Sequence, residues 1–152
     1  MKPRLDDRLV FEHDGHPFSK EDLCAITDIV DGTQEVGEET IGRFGIGFKA
    51  VFAYTETPRI WSPTFSFGIS QFVLPEQLDE DPSLGKITRF EFPFNNPKKS
   101  ASDAYEEVCR GLDEISDATL LFLSQIESIK WQVDQGPEVC VLRVKHSRDH
   151  LE

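Results

Sequence analysis

Apolar positions recur along this chain in two periods, one of strands and one of helices. Leu9 to Glu12 is a short apolar run that predicts a strand, and it is closed by His13-Asp-Gly-His-Pro17, where Asp-Gly followed by proline is turn chemistry. Leu23, Ile26 and Val30 then recur at helical spacing with Ile29 beside them. Ser19 and Asp22 form an acidic capping box ahead of them, so a helix is predicted over Ser19 to Val30. Asp31 to Thr40 is polar and glycine-bearing, which predicts a surface loop able to act as a lid. Behind it Phe48, Val51 and Phe52 mark a second helix.

Arg59 to Ser62, Phe65 to Val73 and Lys86 to Pro93 read as strands, the last with Ile87, Phe90 and Phe92 alternating against Thr88, Arg89 and Glu91. These three are expected to form an antiparallel meander, and the acidic, proline-bearing link Pro75 to Gly85 a solvated excursion. Tyr105, Val108, Cys109, Leu112 and Ile115 predict a helix from Ser102, and Ser116 with Asp117 restarts another through Leu120, Leu121, Leu123 and Ile126. Ile129 to Val133 and Glu138 to Lys145, joined by a turn at Asp134 to Pro137, predict a terminal hairpin. The helices are too few and too clustered for alternating β-α-β units. An α+β two-layer sandwich follows, with a mixed, mostly antiparallel sheet and helices on one face. Residues 1–152 are read as a single domain, with Leu151-Glu152 a possible cloning scar.

Charge narrows the partners. The 152 residues hold 28 acidic and 16 basic side chains, a net charge of -12, so nucleic acid and anionic membranes would be repelled. No apolar run is long enough for a membrane span and no secretory leader is visible. The three cysteines are far apart and odd in number, which fits reduced thiols and a cytoplasmic setting; Cys24 and Cys109 are expected to be buried. Trp61 and Trp131 are expected in the core, Glu12 on the surface, and His16, His146 and His150 in solvent. No nucleophile–base arrangement and no metal-ligand cluster can be read from the sequence, so no catalytic or metal-binding residue is assigned.

The candidate chemistry lies in the glycines Gly42, Gly45 and Gly47. Each lacks a Cβ, so backbone N–H groups there can close on an anion at the start of the following helix. The run Ile41-Gly-Arg-Phe-Gly-Ile-Gly-Phe-Lys-Ala-Val-Phe52 resembles the second glycine box of the GHKL superfamily, the Bergerat-fold ATPases, and most of all its heat-shock chaperone and sacsin branch. His13-Asp-Gly-His-Pro-Phe-Ser-Lys-Glu-Asp-Leu23 resembles the first box, and the strand with Thr88 resembles the far wall of the family's pocket. The likeness spans about Leu9 to Phe94.

The resemblance implies a site for ATP or ADP, with the purine end near His13, Asp14 and Thr88 and with Gly15 matching the first glycine of the first box. The phosphates would lie under Gly42, Phe44, Gly45 and Gly47, with Lys49 on the first turn of the helix adding charge. Two positions depart from the family: His13 stands where it has an adenine-reading Asp, and Pro17 where it has a second glycine. The family's N-terminal helix, with a catalytic Glu and a magnesium-holding Asn, has no counterpart in the eight residues before Leu9. The chain is thus expected to be a fragment or a shortened relative that binds ATP, with magnesium helping little, and does not hydrolyse it unaided. The alternative is a degenerate Bergerat-like domain that engages protein partners, or other domains of a longer chain, without nucleotide.

Overall fold

A computed structural model describes residues 7–27 and 44–143, with backbone only for 44–46. Among these residues the chain is α+β. Strands β1 (Arg8–His13), β2 (Arg59–Trp61), β3 (Ser66–Ser70), β4 (Leu74–Gln77) and β5 (Thr88–Pro93) make one five-stranded sheet in the order β1-β5-β2-β3-β4. All four neighbouring pairs are antiparallel. Helices α1 (Lys20–Thr27), α2 (Phe44–Lys49), α3 (Ala101–Asp113) and α4 (Asp117–Phe122) complete it with a separate hairpin, β6 (Ser128–Trp131) and β7 (Val139–Leu142). The chain divides into two compact units, residues 7–105 and 106–143 of the described part.

The expected meander does not form: β5 pairs with β2, on the side away from β3, and with β1 on its other side. The strand expected over Phe65 to Val73 instead reverses at Gln71 and Phe72, both with positive φ (50° and 69°), and returns as β4. No Gly, Asn or Asp marks that turn, so its chemistry was invisible. β4 also claims the start of the expected Pro75 to Gly85 excursion. It can include Pro75 because Ile69, its partner, turns its own N–H to Pro58 on the β2 side (2.9 Å). Pro75 is therefore a non-hydrogen-bonded partner whose missing N–H faces the outer edge, where a strand tolerates proline.

Alternation in β5 builds the core. Thr88, Phe90 and Phe92 are buried while Arg89, Glu91 and Pro93 are half-exposed. Register carries the same parity outward, so Leu9, Phe11 and His13 of β1 share the face of Phe90, as do Ile60, Phe67 and Ile69. Phe18, Ile26 of α1 and Phe48 of α2 join that cluster, with Leu23, Val51 and Phe52 packed against it. Phe48 lies 6.4 Å from Phe90 and 6.2 Å from Phe92, and Phe18 lies 5.9 Å from Phe90 between ring centroids, separations at which aromatic pairs attract. Helices α1 and α2 pack on each other as well. A single 3₁₀ turn, Ala50–Ala53, extends α2, and Asn96 secures it by donating Nδ2–H to the Phe52 carbonyl (2.7 Å).

The other face of the sheet is charged. Glu91 takes Arg59 at 3.2 Å and Arg8 at 3.5 Å, and Arg89 takes Glu12 at 2.6 Å. Trp61 lies on this face, half-buried, with its indole N–H donated to the Asp79 carbonyl (3.2 Å), because its register partner is Arg89 rather than a core Phe. The expected core place for Trp61 is thus corrected. Trp131 on β6 is likewise only half-buried. Cys24 and Cys109 are half-buried rather than buried, and Cys140 is exposed.

In the second unit α4 starts after Ser116, where a helix was expected to restart, but stops at Phe122, short of the expected Ile126. The Arg143 guanidinium ends it by donating to the carbonyls of Leu120, Leu123 (2.9 Å) and Ser124 (3.0 Å). The expected hairpin is present, with β6 and β7 in register from Ser128 opposite Leu142 to Trp131 opposite Val139. The expected Val30 end of the first helix, the lid of Asp31 to Thr40, Gly42, His146 and His150 lie outside the described residues.

Candidate functional site

The first glycine segment is held from both ends. At its far end Ser19 and Asp22 cap α1 reciprocally, Ser19 N–H donating to Asp22 Oδ2 (2.8 Å) and Asp22 N–H to Ser19 Oγ (3.1 Å). Just before them Phe18 is buried, and both of its backbone groups find hydroxyls. Its N–H donates to Ser62 Oγ at 2.9 Å, and its carbonyl accepts from Thr64. Thr88 Oγ1 donates to the same Ser62 oxygen at 3.3 Å. Three side-chain hydroxyls thus converge on the turn that follows β1, and each buried polar atom is satisfied.

At the near end stands His13, the last residue of β1, directly opposite Thr88 in the ladder. Two of the residues expected at the purine end, His13 and Thr88, are therefore brought together on the face that carries α1 and α2. Thr88 is fully buried and Asp14 and Gly15 are exposed. The His13 ring is half-buried, 5.8 Å from Phe90 and 6.0 Å from Phe11 between centroids. Its Nδ1 accepts the backbone N–H of Gly15 at 3.2 Å. A Cβ on Gly15 would sit 3.3 Å from that Nδ1, so the close approach suits glycine. Burial holds the His13 pKa below its ordinary value, with the neighbouring Asp14 carboxylate pulling the other way.

In the second segment the helix begins earlier than expected. Gly45 and Gly47 lie inside α2 rather than in a loop ahead of it, and Lys49 ends α2 instead of occupying a first turn. Lys49 is exposed. Phe44 opens the helix, and its side chain, like Gly42, is outside the description. Gly47 is exposed, and a Cβ placed on it would meet nothing within 4 Å. Among the described residues neither packing nor backbone conformation asks for a glycine there, although glycine in a helix costs about 1 kcal/mol relative to alanine.

Other candidates resolve as structure. Glu12 is the ion-pair partner of Arg89 on the charged face, as its surface reading anticipated, and His16 is exposed. Among the described residues no group of three or more His, Cys, Asp or Glu could hold a metal ion, so no magnesium ligand set is found there. No described helix is long and apolar enough to cross a membrane. Ser62, Thr64 and Phe11 escaped the sequence reading. Phe11 keeps 51% of its surface exposed although it shares the Phe90 face, and its place could have been read from the odd-numbered alternation of Leu9, Phe11 and His13. Ser62 and Thr64 carry no local motif; only the fold brings them to Phe18.

Compared with protein-family models, with curated proteins and with solved structures, the chain matches none of them.

Proposed function

We propose that residues 7–105 belong to a nucleotide-binding module of the GHKL, Bergerat-like type, which takes ATP or ADP or a related purine nucleotide and does not hydrolyse it alone. The observation that supports this reading is the register pairing of His13 with Thr88 on the helix-bearing face, since the resemblance implies both at the purine end. Packing of α1 on α2 adds to it, since each helix follows or contains one of the glycine segments. In this reading Thr88, being buried, acts on the base through Ser62 and the Phe18 turn. The half-buried His13 ring and the exposed Asp14 meet the base, and the Gly45 and Gly47 backbone approaches the phosphates, with Lys49 adding positive charge. A reduced, cytoplasmic setting suits the three unpaired thiols.

A second reading, an interaction module without nucleotide, is favoured by one observation: the His13 acceptor nitrogen is already taken by Gly15. Isothermal titration of the whole chain with ATP and ADP, with and without magnesium, separates the two. Saturable binding that Gly45→Ala removes supports the nucleotide module. Absence of both heat and thermal stabilisation up to millimolar ligand supports the interaction module.

A further inference from the structure

We propose that β1 is a docking edge for a second copy of this chain, with the two β1 strands pairing antiparallel into one continuous sheet about a two-fold axis at Val10. The inference stands apart from the nucleotide reading. It follows from the way the backbone of β1 turns and from what its side chains would meet.

Among the described residues β1 ends the sheet, with β5 on its inner side. Phe94 N–H donates to the Asp7 carbonyl at 2.6 Å, which makes these two a hydrogen-bonded pair. By the same register Leu9, Phe11 and His13 turn their backbone groups to Phe92, Phe90 and Thr88. Pairing across the sheet gives the same parity. Ile69 N–H donates to the Pro58 carbonyl at 2.9 Å, so the backbone groups of Ile60 turn to β3, those of Arg59 and Trp61 to β5, and those of Phe90 to β1. Arg8, Val10 and Glu12 therefore turn N–H and C=O outward, a template on which another strand can pair. Val10 and Phe11, on opposite faces, are 43% and 51% exposed, so the edge is open on both sides.

The occupant is written in the edge itself. A two-fold axis perpendicular to the sheet carries each face into the same face of the partner only if residues of like parity stand opposite one another. Centred on Val10, such a pairing sets Arg8 against the partner's Glu12, Leu9 against the partner's Phe11, Val10 against the partner's Val10, and Asp7 against the partner's His13. Every rung joins opposite charge, acid and imidazole, or two apolar side chains. A shift of two residues either way sets Val10 against an arginine or a glutamate and loses both ion pairs. In the centred register the outward groups of Arg8, Val10 and Glu12 meet one another as hydrogen-bonded pairs. The charged face is already alternating, Arg8 reaching Glu91 at 3.5 Å and Glu12 reaching Arg89 at 2.6 Å, and the new pairs extend that alternation across the seam. On the other face the partner's Leu9 covers the exposed Phe11 ring. The net charge of -12 on each copy opposes the approach, so the dimer is expected at high protein concentration.

Sedimentation velocity of the whole chain from about 10 µM to about 1 mM is expected to show a monomer–dimer equilibrium. Val10→Pro removes the N–H on the axis without removing a bond to β5, and is expected to raise the dissociation constant about tenfold or more while circular dichroism reports the fold intact. Arg8→Glu and Glu12→Arg each set like charges opposite one another. Each alone is expected to stay monomeric, and an equimolar mixture to dimerise, because unlike charges then meet at both ends of the seam. In hydrogen exchange the N–H groups of Arg8, Val10 and Glu12 are expected to gain protection with concentration, and those of Leu9, Phe11 and His13 to be protected throughout. A monomer over the whole range overturns the inference. So does protection of the outward amides that is independent of concentration, which would mean that another segment of the chain already lies on the edge. A dimer unaffected by Val10→Pro places the contact elsewhere and overturns it too. Should Val10→Pro fail to fold, the charge variants decide: dimers of either variant alone, or none in the mixture, overturn the register.

Discussion

Ser62 Oγ accepts the backbone N–H of Phe18 at 2.9 Å, tying the turn after β1 to the end of β2. The bond joins a residue from the hairpin side of the sheet to the segment on which the proposed purine end depends. Removing the hydroxyl would leave the Phe18 N–H and the Thr88 hydroxyl without their shared acceptor. Ser62→Ala is expected to cost about 1–3 kcal/mol. Denaturant unfolding followed by tryptophan fluorescence measures it, and a midpoint equal to wild type would show that the hydroxyl cluster contributes nothing.

Gly47→Ala is expected to move two observables in opposite directions. With open space around its Cα and helical backbone, the substitution stabilises the unliganded chain by up to about 1 kcal/mol through helix propensity. Under the nucleotide reading the same methyl group obstructs the backbone's approach to phosphate, so the ligand-induced rise in Tm shrinks. A raised Tm with the full nucleotide shift retained would remove Gly47 from the site.

Acid stability depends on His13. Its pKa is lowered in the folded chain from an ordinary 6.5, so the unfolded chain binds the proton more readily. The stabilisation is complete above about pH 6.5, the unfolded value, and is lost as pH falls through the lower folded value. Protonation of Nδ1 also ends its acceptance of the Gly15 N–H. Between pH 7 and lower values, the Tm of the wild type is expected to fall more steeply than that of His13→Gln. Parallel curves in calorimetry would refute this.

The turn at Gln71 and Phe72 holds two side-chain-bearing residues in the left-handed region. Phe72 has a packing reason, an edge-on contact with Phe52 at 5.2 Å. Gln71 is exposed, so Gln71→Gly is expected to stabilise the hairpin by about 1 kcal/mol, seen as a rise in Tm. A fall would mean that the Gln71 side chain has a role that its backbone angle does not reveal.

Elements with a strong local signal were legible beforehand. The α1 capping box, the alternation of β5 and the terminal hairpin all follow from residues close together in sequence. What was not legible depends on partners far away. Trp61 is an aromatic on a strand, and only the register that sets it beside Arg89 takes it out of the core. The turn at Gln71 lacks every residue that announces a turn. Of the candidate site, His13 and Thr88 were named separately and meet in the ladder, whereas Ser62 and Thr64 are invisible until β2 is laid beside β5. The second glycine segment was expected to lie ahead of a helix, whereas Gly45 and Gly47 lie within α2, whose Phe48 packs near Phe90 and Phe92, contacts that no local pattern states.

Among the described residues the two outer strands of the sheet, β4 and β1, differ in their backbone edges. On β4 the residue whose backbone turns outward at Ile69 is Pro75, so the rung where an incoming strand needs a donor has none. β1 runs from Arg8 to His13 without a proline, and Val10 and Phe11 are exposed along it. Strand addition is thus hindered at one rung of β4 by a single ring, and any tendency of the warmed or acidified protein to aggregate by strand addition to this sheet is expected to favour the β1 side.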